Sequence, residues 1–331
     1  MSASTKKAER SLLIHHWDTD GIASAALMLE SLEERAVEIE TFTPTIGNYL
    51  IDSADRQRIE KIDPAEIVVV DMALPADSVK FLSGFGPVKI FDHHLQEKHD
   101  VELHHNPVIE GASPEEYPSA TWVITDFLDR KFDFLSVLGA FGDREEKLRE
   151  NDLAMETVRE VLSELDREFD DMLDCVELID TLYKIGDREA VTEMPRFLVG
   201  VEEPREVLER EDLRGNWRKL REAIEKEVEG DLKKVEEDVL YREMSSPYNI
   251  ISTVTRRLAW SKEDKKVVVS NSEYQSGKCQ IYIRGPLDDS EAVIEEMKSR
   301  GYSAGGKSDV VGMVIPEEEK EEVLEDLFDM I

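Results

Sequence analysis

The chain has 331 residues, 40% apolar and 35% charged, enough apolar material for folded cores in two domains, or two plus a connector. With 75 Asp and Glu against 41 Lys and Arg, the formal net charge of -34 excludes a broadly basic protein that coats nucleic acid. No apolar run approaches the roughly twenty residues that span a bilayer. The opening MSASTKKAERSLLIHH is too short in apolar residues for a secretory signal, and Cys175 and Cys279 fit no metal or redox spacing. A reduced, soluble, cytoplasmic protein without a membrane partner is expected. The acidity itself is read as an adaptation of the surface to a salt-rich or hot habitat.

Taken in chain order, the first third alternates short apolar strands with amphipathic helices. Residues 11–16 read as a strand, 21–35 as a helix, 37–42 as a second strand, and EIVVVD at 66–71 as a buried strand. Pro75 opens a helix through Leu82, and 88–91 is the next strand. This alternation predicts an α/β domain over 1–145 with a parallel sheet covered on both faces, whose functional groups gather at the carboxyl ends of strands. From 146 to 245 glycine is sparse and Glu, Leu and Val recur at helical spacing, so a helical connector is expected. From 246 to 331 a smaller α/β domain is expected. Its strands fall at 267–270, 279–284 and 310–315, its helices at 290–300 and 317–331, with a glycine-containing loop at 301–306.

The seven histidines all lie between His15 and His105. His15 and His16 follow the strand-like SLLI, and His93 and His94 follow VKIFD. In HHWDTDG, His16, Asp18 and Asp20 alternate just past a strand, and Gly21 lets the chain turn tightly into the next helix. One carboxylate would suffice as a helix cap, and two beside two histidines are costly without a cation. Asp71, Asp92-His93-His94 and Asp143 in GAFGD extend the set. Such a cluster at one sheet edge calls for two divalent cations. Oxygen and imidazole ligands suit manganese first, with zinc, cobalt or magnesium as alternatives.

HxDxDG at 16–21, the strand-end Asp71, DHH at 92–94 and the later Asp143 resemble the four motifs of the DHH phosphoesterase superfamily. IYIRGP at 281–286 and GGKSDVVG at 305–312 resemble the domain that accompanies it in the RecJ-like subfamily, and the length is similar to that of archaeal RecJ-like proteins. The resemblance implies that His16, Asp18 and Asp71 hold one metal ion. Asp20, Asp71, His93 and Asp143 would hold a second, with Asp71 bridging. It implies that His94 faces the scissile phosphate, that Asp92 orients an imidazole, and that Arg284, Gly305, Gly306 and Lys307 contact substrate. Lys307 departs from the family, which places His there.

The function so implied is hydrolysis of single-stranded DNA or RNA, or of short oligonucleotides, by a manganese-dependent exonuclease or oligonucleotidase. A cyclic-dinucleotide phosphodiesterase is the nearest rival. A RecJ-like subunit or scaffold in a replication complex, partnered by replication or repair proteins, is the rival from another class. A pyrophosphatase is disfavoured, because Ile14 stands where those relatives carry His. Outside the motifs, His104 and His105 are expected to pack a turn, His99 to be solvated and His15 to be a strand residue. Asp187 is expected in a turn, Trp122 and Trp217 in the core, Asp126 and Asp129 on a polar helix face, and the acidic tail from Glu317 as a helix over the small domain.

Overall fold

The computed structural model describes residues 10–33, 38–262, 264–307 and 309–331. Arg35 and Val37, at the expected ends of a helix and a strand, lie outside the described residues, as does the side chain of Lys307. By internal contacts the chain divides into two units, one of residues up to 183 with 187–214, the other of 184–186 with 215–331.

The first unit begins with strand β1 (Arg10–His15), helix α1 (Thr19–Glu33), β2 (Glu38–Phe42), α2 (Ser53–Ile62), β3 (Glu66–Val70), α3 (Ala76–Leu82), β4 (Val88–Phe91) and β5 (Leu103–His105). It continues with α4 (Ala120–Phe127), α5 (Phe134–Arg144), α6 (Asp152–Leu165), α7 (Phe169–Lys184), α8 (Arg188–Leu198) and α9 (Pro204–Leu208). The five strands pair in the order β2-β1-β3-β4-β5, all parallel. Leu12 to Ile14 of β1 and Ile67 to Val70 of β3 are almost fully buried, as expected of central strands covered on both faces. Because such crossovers are right-handed, the reversal after β2 places α1 on one face and α2 and α3 on the other. The same reversal leaves a crevice beyond the carboxyl ends of β1 and β3, the usual place for a ligand in this topology.

The second unit contains most of α10 (Glu211–Glu229), then β6 (Lys233–Lys234), β7 (Val239–Met244), α11 (Ile251–Trp260), β8 (Lys266–Asn271) and β9 (Lys278–Arg284). It ends with α12 (Ser290–Ser299), β10 (Ser303–Lys307), β11 (Val310–Pro316) and α13 (Lys320–Met330). Its sheet runs β10-β11-β9-β8-β7-β6, with only β7 and β8 parallel. Val268, Ile281, Ile283, Met313 and Ile315 meet Val293 and Met297 of α12 and Leu324 and Leu327 of α13 on one face. Val267 and Val269 meet Leu220 of α10 and Val254 and Leu258 of α11 on the other. The period-two alternation of each strand thus feeds two separate cores. The acidic tail covers the sheet as expected.

Several expectations differ from the structure. Residues 233–234 and 239–244, expected to be helical, are strands. Gly305 and Gly306, expected in a loop, lie on β10, paired with Gly312 and Val311 of β11. His104 and His105 are not in a turn but on β5, where they pair with Ile90 and Phe91. His99 is not simply solvated, since its Nε2 lies 3.0 Å from the Leu74 carbonyl. Asp187 is the N-cap of α8, accepting from Ala190 N–H at 3.0 Å. Trp122 is buried, but Trp217 is half-exposed with Arg221 over its ring. Among the described residues, no helix is long and apolar enough to cross a membrane.

Candidate metal centre

The centre is assembled from strand ends. β1 delivers His16 and, through a short turn, Asp18 and Asp20; β3 delivers Asp71; β4 delivers Asp92, His93 and His94. Asp143 arrives differently, on the last turn of α5. Their ligand atoms form three overlapping groups, each within 4.8 Å: His16 with Asp18 and Asp71, Asp20 with His93 and Asp143, and Asp71 with Asp92, His93 and His94. Asp71 is central. Its Oδ2 lies 3.7 Å from His16 Nδ1, and its Oδ1 lies 3.5 Å from His93 Nε2 and 3.8 Å from His94 Nδ1. Its backbone sits at φ 59°, in the left-handed region that a short polar residue tolerates better than most, with its N–H donated to Phe91 C=O.

Local structure explains each placement. Gly21 is in the first turn of α1, not in a tight turn before it. Glycine is needed there because a Cβ would stand 2.5 Å from His16 Cβ. The N-terminus of α1 is held from far along the chain: Asp180 of α7 accepts from Thr19 Oγ1 at 2.7 Å and Thr19 N–H at 3.2 Å. Asp20 is fully buried and accepts from Ala120 N–H at 2.7 Å and Thr121 N–H at 3.1 Å, at the positive end of α4. Gly139 lets α5 approach this pair, since a methyl group there would overlap Asp20 Oδ1 and Thr121 Oγ1. Asp92 is also fully buried and accepts from His93 N–H at 2.8 Å, from His94 Nδ1 at 2.8 Å and from Gln96. Asn106 donates to the His94 carbonyl at 2.9 Å and fixes that loop. His15 points away, with Nε2 3.0 Å from Thr43 Oγ1, and burial lowers its pKa to about 4. Asn106 and Asp180 lie outside the motifs, and Thr19 and Gly139, though within HHWDTDG and GAFGD, show their roles only in the folded contacts.

The electrostatics are those of a site short of positive charge. Burial, with Asp143 beside it, raises Asp20 to about 6. Burial and the Asp20 charge push Asp71 well above the ordinary carboxylate range. Burial also opposes ionisation of Asp18, but His16 and the Gly21 N–H outweigh it and bring Asp18 down to about 2. Burial opposes the charged form of His93, yet Asp143 at 3.0 Å and Asp71 raise it well above its usual value. The same contest, won by Asp92, raises His94 and lowers Asp92. Both ring nitrogens of His16, both oxygens of Asp71 and Nε2 of His93 are buried without a hydrogen bond. His16 Nδ1 does lie 2.8 Å from Asp18 Oδ2, but not in bonding geometry. Buried polar atoms are rarely left so, and mixed oxygen and nitrogen donors at this spacing fit divalent cations.

In the second unit, Arg284 ends β9, donates to Asp309 at 3.1 Å and lines an open hollow of about 380 Å³ with Trp260 and Lys265. The hairpin β10–β11 carries Gly305, Gly306 and the backbone of Lys307 beside it, Lys307 pairing with Val310 and Val310 with Arg284.

The fold and the cluster together define a doubly wound α/β domain with an acidic and imidazole centre suited to divalent cations, joined to a second, mixed-sheet unit. Residues 11–154 match the DHH family, N-terminal domain. The fold over nearly all of the chain is RecJ-like. It is similar to RecJ from Thermus thermophilus in complex with Mn2+, at 15% identity and TM-score 0.67, covering 96% of this chain and 51% of that one. The chain thus spans about half the length of that RecJ. It is also similar to a pGpG-specific phosphodiesterase, PggH, from Vibrio cholerae, at 15% identity and TM-score 0.53, covering 96% and 97%. CDC45 from Entamoeba histolytica is similar at 10% identity and TM-score 0.52, covering 97% and 95%. A comparison with curated proteins finds no match.

Proposed function

We propose that the chain is a metal-dependent phosphodiesterase that hydrolyses single-stranded nucleic acid or short oligonucleotides. The observation that carries this reading is the group of buried, unbonded ligand atoms on His16, Asp71 and His93, within a cluster of further carboxylates. A buried set of this kind is electrostatically expensive unless cations join it. We assign His16, Asp18 and Asp71 to one ion, and Asp20, Asp71, His93 and Asp143 to the other, with manganese as the first choice. Bound divalent ions would supply Lewis acidity for displacement at phosphorus.

The chain's own groups complete the chemistry. Asp92 accepts a hydrogen bond from the Nδ1–H of His94, whose ring is half-exposed. Asp92 raises the pKa of His94, and in the protonated ring so favoured Nε2–H would be left to donate to a phosphoryl oxygen. Asp92 acts through His94 and not on substrate. Arg284 with Gly305, Gly306 and Lys307 is assigned to substrate contact in the second unit. The low overall basicity favours short substrates, since few cations can displace counterions from a long strand. The likeness to a phosphodiesterase for pGpG supports the same preference.

The test is a manganese-supplemented panel of end-labelled single-stranded DNA, RNA, dinucleotides, cyclic dinucleotides and pyrophosphate, with metal content measured alongside. Turnover of the linear substrates is expected. The likeness to CDC45 supports a second reading, a replication-complex subunit. Metal-loaded protein that cleaves none of the panel would favour it and overturn the first.

A further inference from the structure

The loop between β2 and α2 offers a feature that the metal centre does not use. Tyr49, at its tip, is 65% exposed. Its ring is stacked on His16 at 5.7 Å between centroids and 25° between planes. Behind it lies Trp17, 5.0 Å away and only 5% exposed, which itself packs on His16 at 4.0 Å. The three rings pack against one another in one cluster beside the metal centre, with Trp17 buried and much of Tyr49 exposed.

The loop is fixed in place. Thr45 N–H donates to Asp55 Oδ2 at 3.0 Å, and Thr45 Oγ1 to Asp52 Oδ2 at 3.0 Å. Asn48 Nδ2 also donates to Asp52, at 3.2 Å. Beyond the tip, Ile51 N–H donates to Ser78 Oγ at 3.0 Å and Ile51 C=O accepts from Arg56 Nε at 3.1 Å. Gly47, at φ 84°, makes the bend. A tyrosine held this firmly and yet left largely in water has its ordering cost already met by the fold, which suits a planar ligand.

We propose that Tyr49 is the stacking platform for a nucleobase whose adjoining phosphate lies at the Asp71 centre, so that the site selects nucleotides over phosphoesters lacking a base. The inference rests on the phosphodiesterase reading and names its substrate class. Stacking on a π-face tolerates every base, so selection for a base without selection among bases is the expected result. Tyr49 would act in binding, while the chemistry stays with the cluster around Asp71.

The experiment compares two non-hydrolysable dinucleotides on the manganese-loaded full chain, one carrying 2-aminopurine and one abasic at that position. Wild type should quench the 2-aminopurine fluorescence on binding and prefer it to the abasic ligand. Tyr49→Ala should reduce that preference about ten- to hundredfold, with metal content retained, and Tyr49→Phe should preserve it. An unchanged preference in Tyr49→Ala would overturn the proposal. Loss of metal from Tyr49→Ala but not from Tyr49→Phe, with both ligands weakened equally in the alanine variant, would instead show that the Tyr49 ring only supports His16. If wild type quenches the ligand but cleaves no phosphodiester, the platform stands and the catalytic reading fails.

Discussion

Replacing Gly139 by alanine tests how the second ligand set is held. Alanine in a helix interior gains about 1 kcal/mol over glycine. At Gly139 the new methyl would overlap Asp20 Oδ1 and Thr121 Oγ1 and lie 2.7 Å from Thr121 Cγ2. Either α5 retreats from α1, at an overpacking cost of about 1–3 kcal/mol, or Asp20 moves. Moving it endangers its bonds to Ala120 and Thr121 N–H, each worth about 1.5–3 kcal/mol for a charged acceptor. One such loss plus modest overpacking exceeds the propensity gain, leaving a net destabilisation of about 2–4 kcal/mol. Gly215, on α10 with nothing within 4 Å of its added Cβ, supplies the opposite sign. Gly215→Ala should raise the melting temperature and Gly139→Ala should lower it, in calorimetric melts of the full chain. Manganese titration should also find weaker binding in Gly139→Ala alone. Equal or higher thermal stability for Gly139→Ala would refute the packing argument.

The ligand assignments separate cleanly. Asp71→Asn should lose metal and turnover together, whereas His94→Ala should lose turnover with metal largely kept, as elemental analysis beside the nuclease assay would read; equal metal loss would show the histidine roles to be misassigned. The acidity of Asp20 has a consequence for metal-free protein. Its folded pKa of about 6 lies above the unfolded value of 3.8, so its contribution is present at low pH and lost as pH rises between the two. In chelator, stability of Asp20→Asn relative to wild type should therefore climb from pH 4 to pH 6 and then level; a falling difference in denaturant midpoints would contradict the site's electrostatics. Arg284→Ala should weaken oligonucleotide binding about tenfold or more without changing metal content, and unchanged affinity would remove Arg284 from the substrate contacts.

Much of the first unit was legible because β-branched runs such as EIVVVD end on a charged residue. A buried strand that stops at Asp71 announces both the strand and the place where its functional group emerges. The motifs at 16–21 and 92–94 follow the same rule. Asp143 was legible as a residue but not as a helical one, since Gly139 and Gly142 weaken a segment whose apolar residues otherwise recur at helical spacing. β7 was hidden because its residues VLYREM follow a Lys- and Glu-rich stretch and form a strand by pairing with β8 and β6. Asp180 could not be found from sequence, because its partner Thr19 lies 161 residues away and the bond exists only once α7 has packed.

The arginines of α8 add a consequence for dissecting the chain. Arg188 donates to the Thr43 carbonyl at 2.7 Å and pairs with the fully buried Asp55, and Arg196 donates to the Ile39 carbonyl. Ile39 belongs to β2, the outermost strand of the parallel sheet. A guanidinium laid against an outer strand occupies hydrogen-bonding groups that another chain could otherwise recruit. A fragment cut at residue 154, where the family match ends, would bare that margin, strand the Asp55 charge in the interior and leave α1 without its Asp180 cap. Such a fragment invites edge-to-edge association, whereas one extended through α8 keeps the margin sealed.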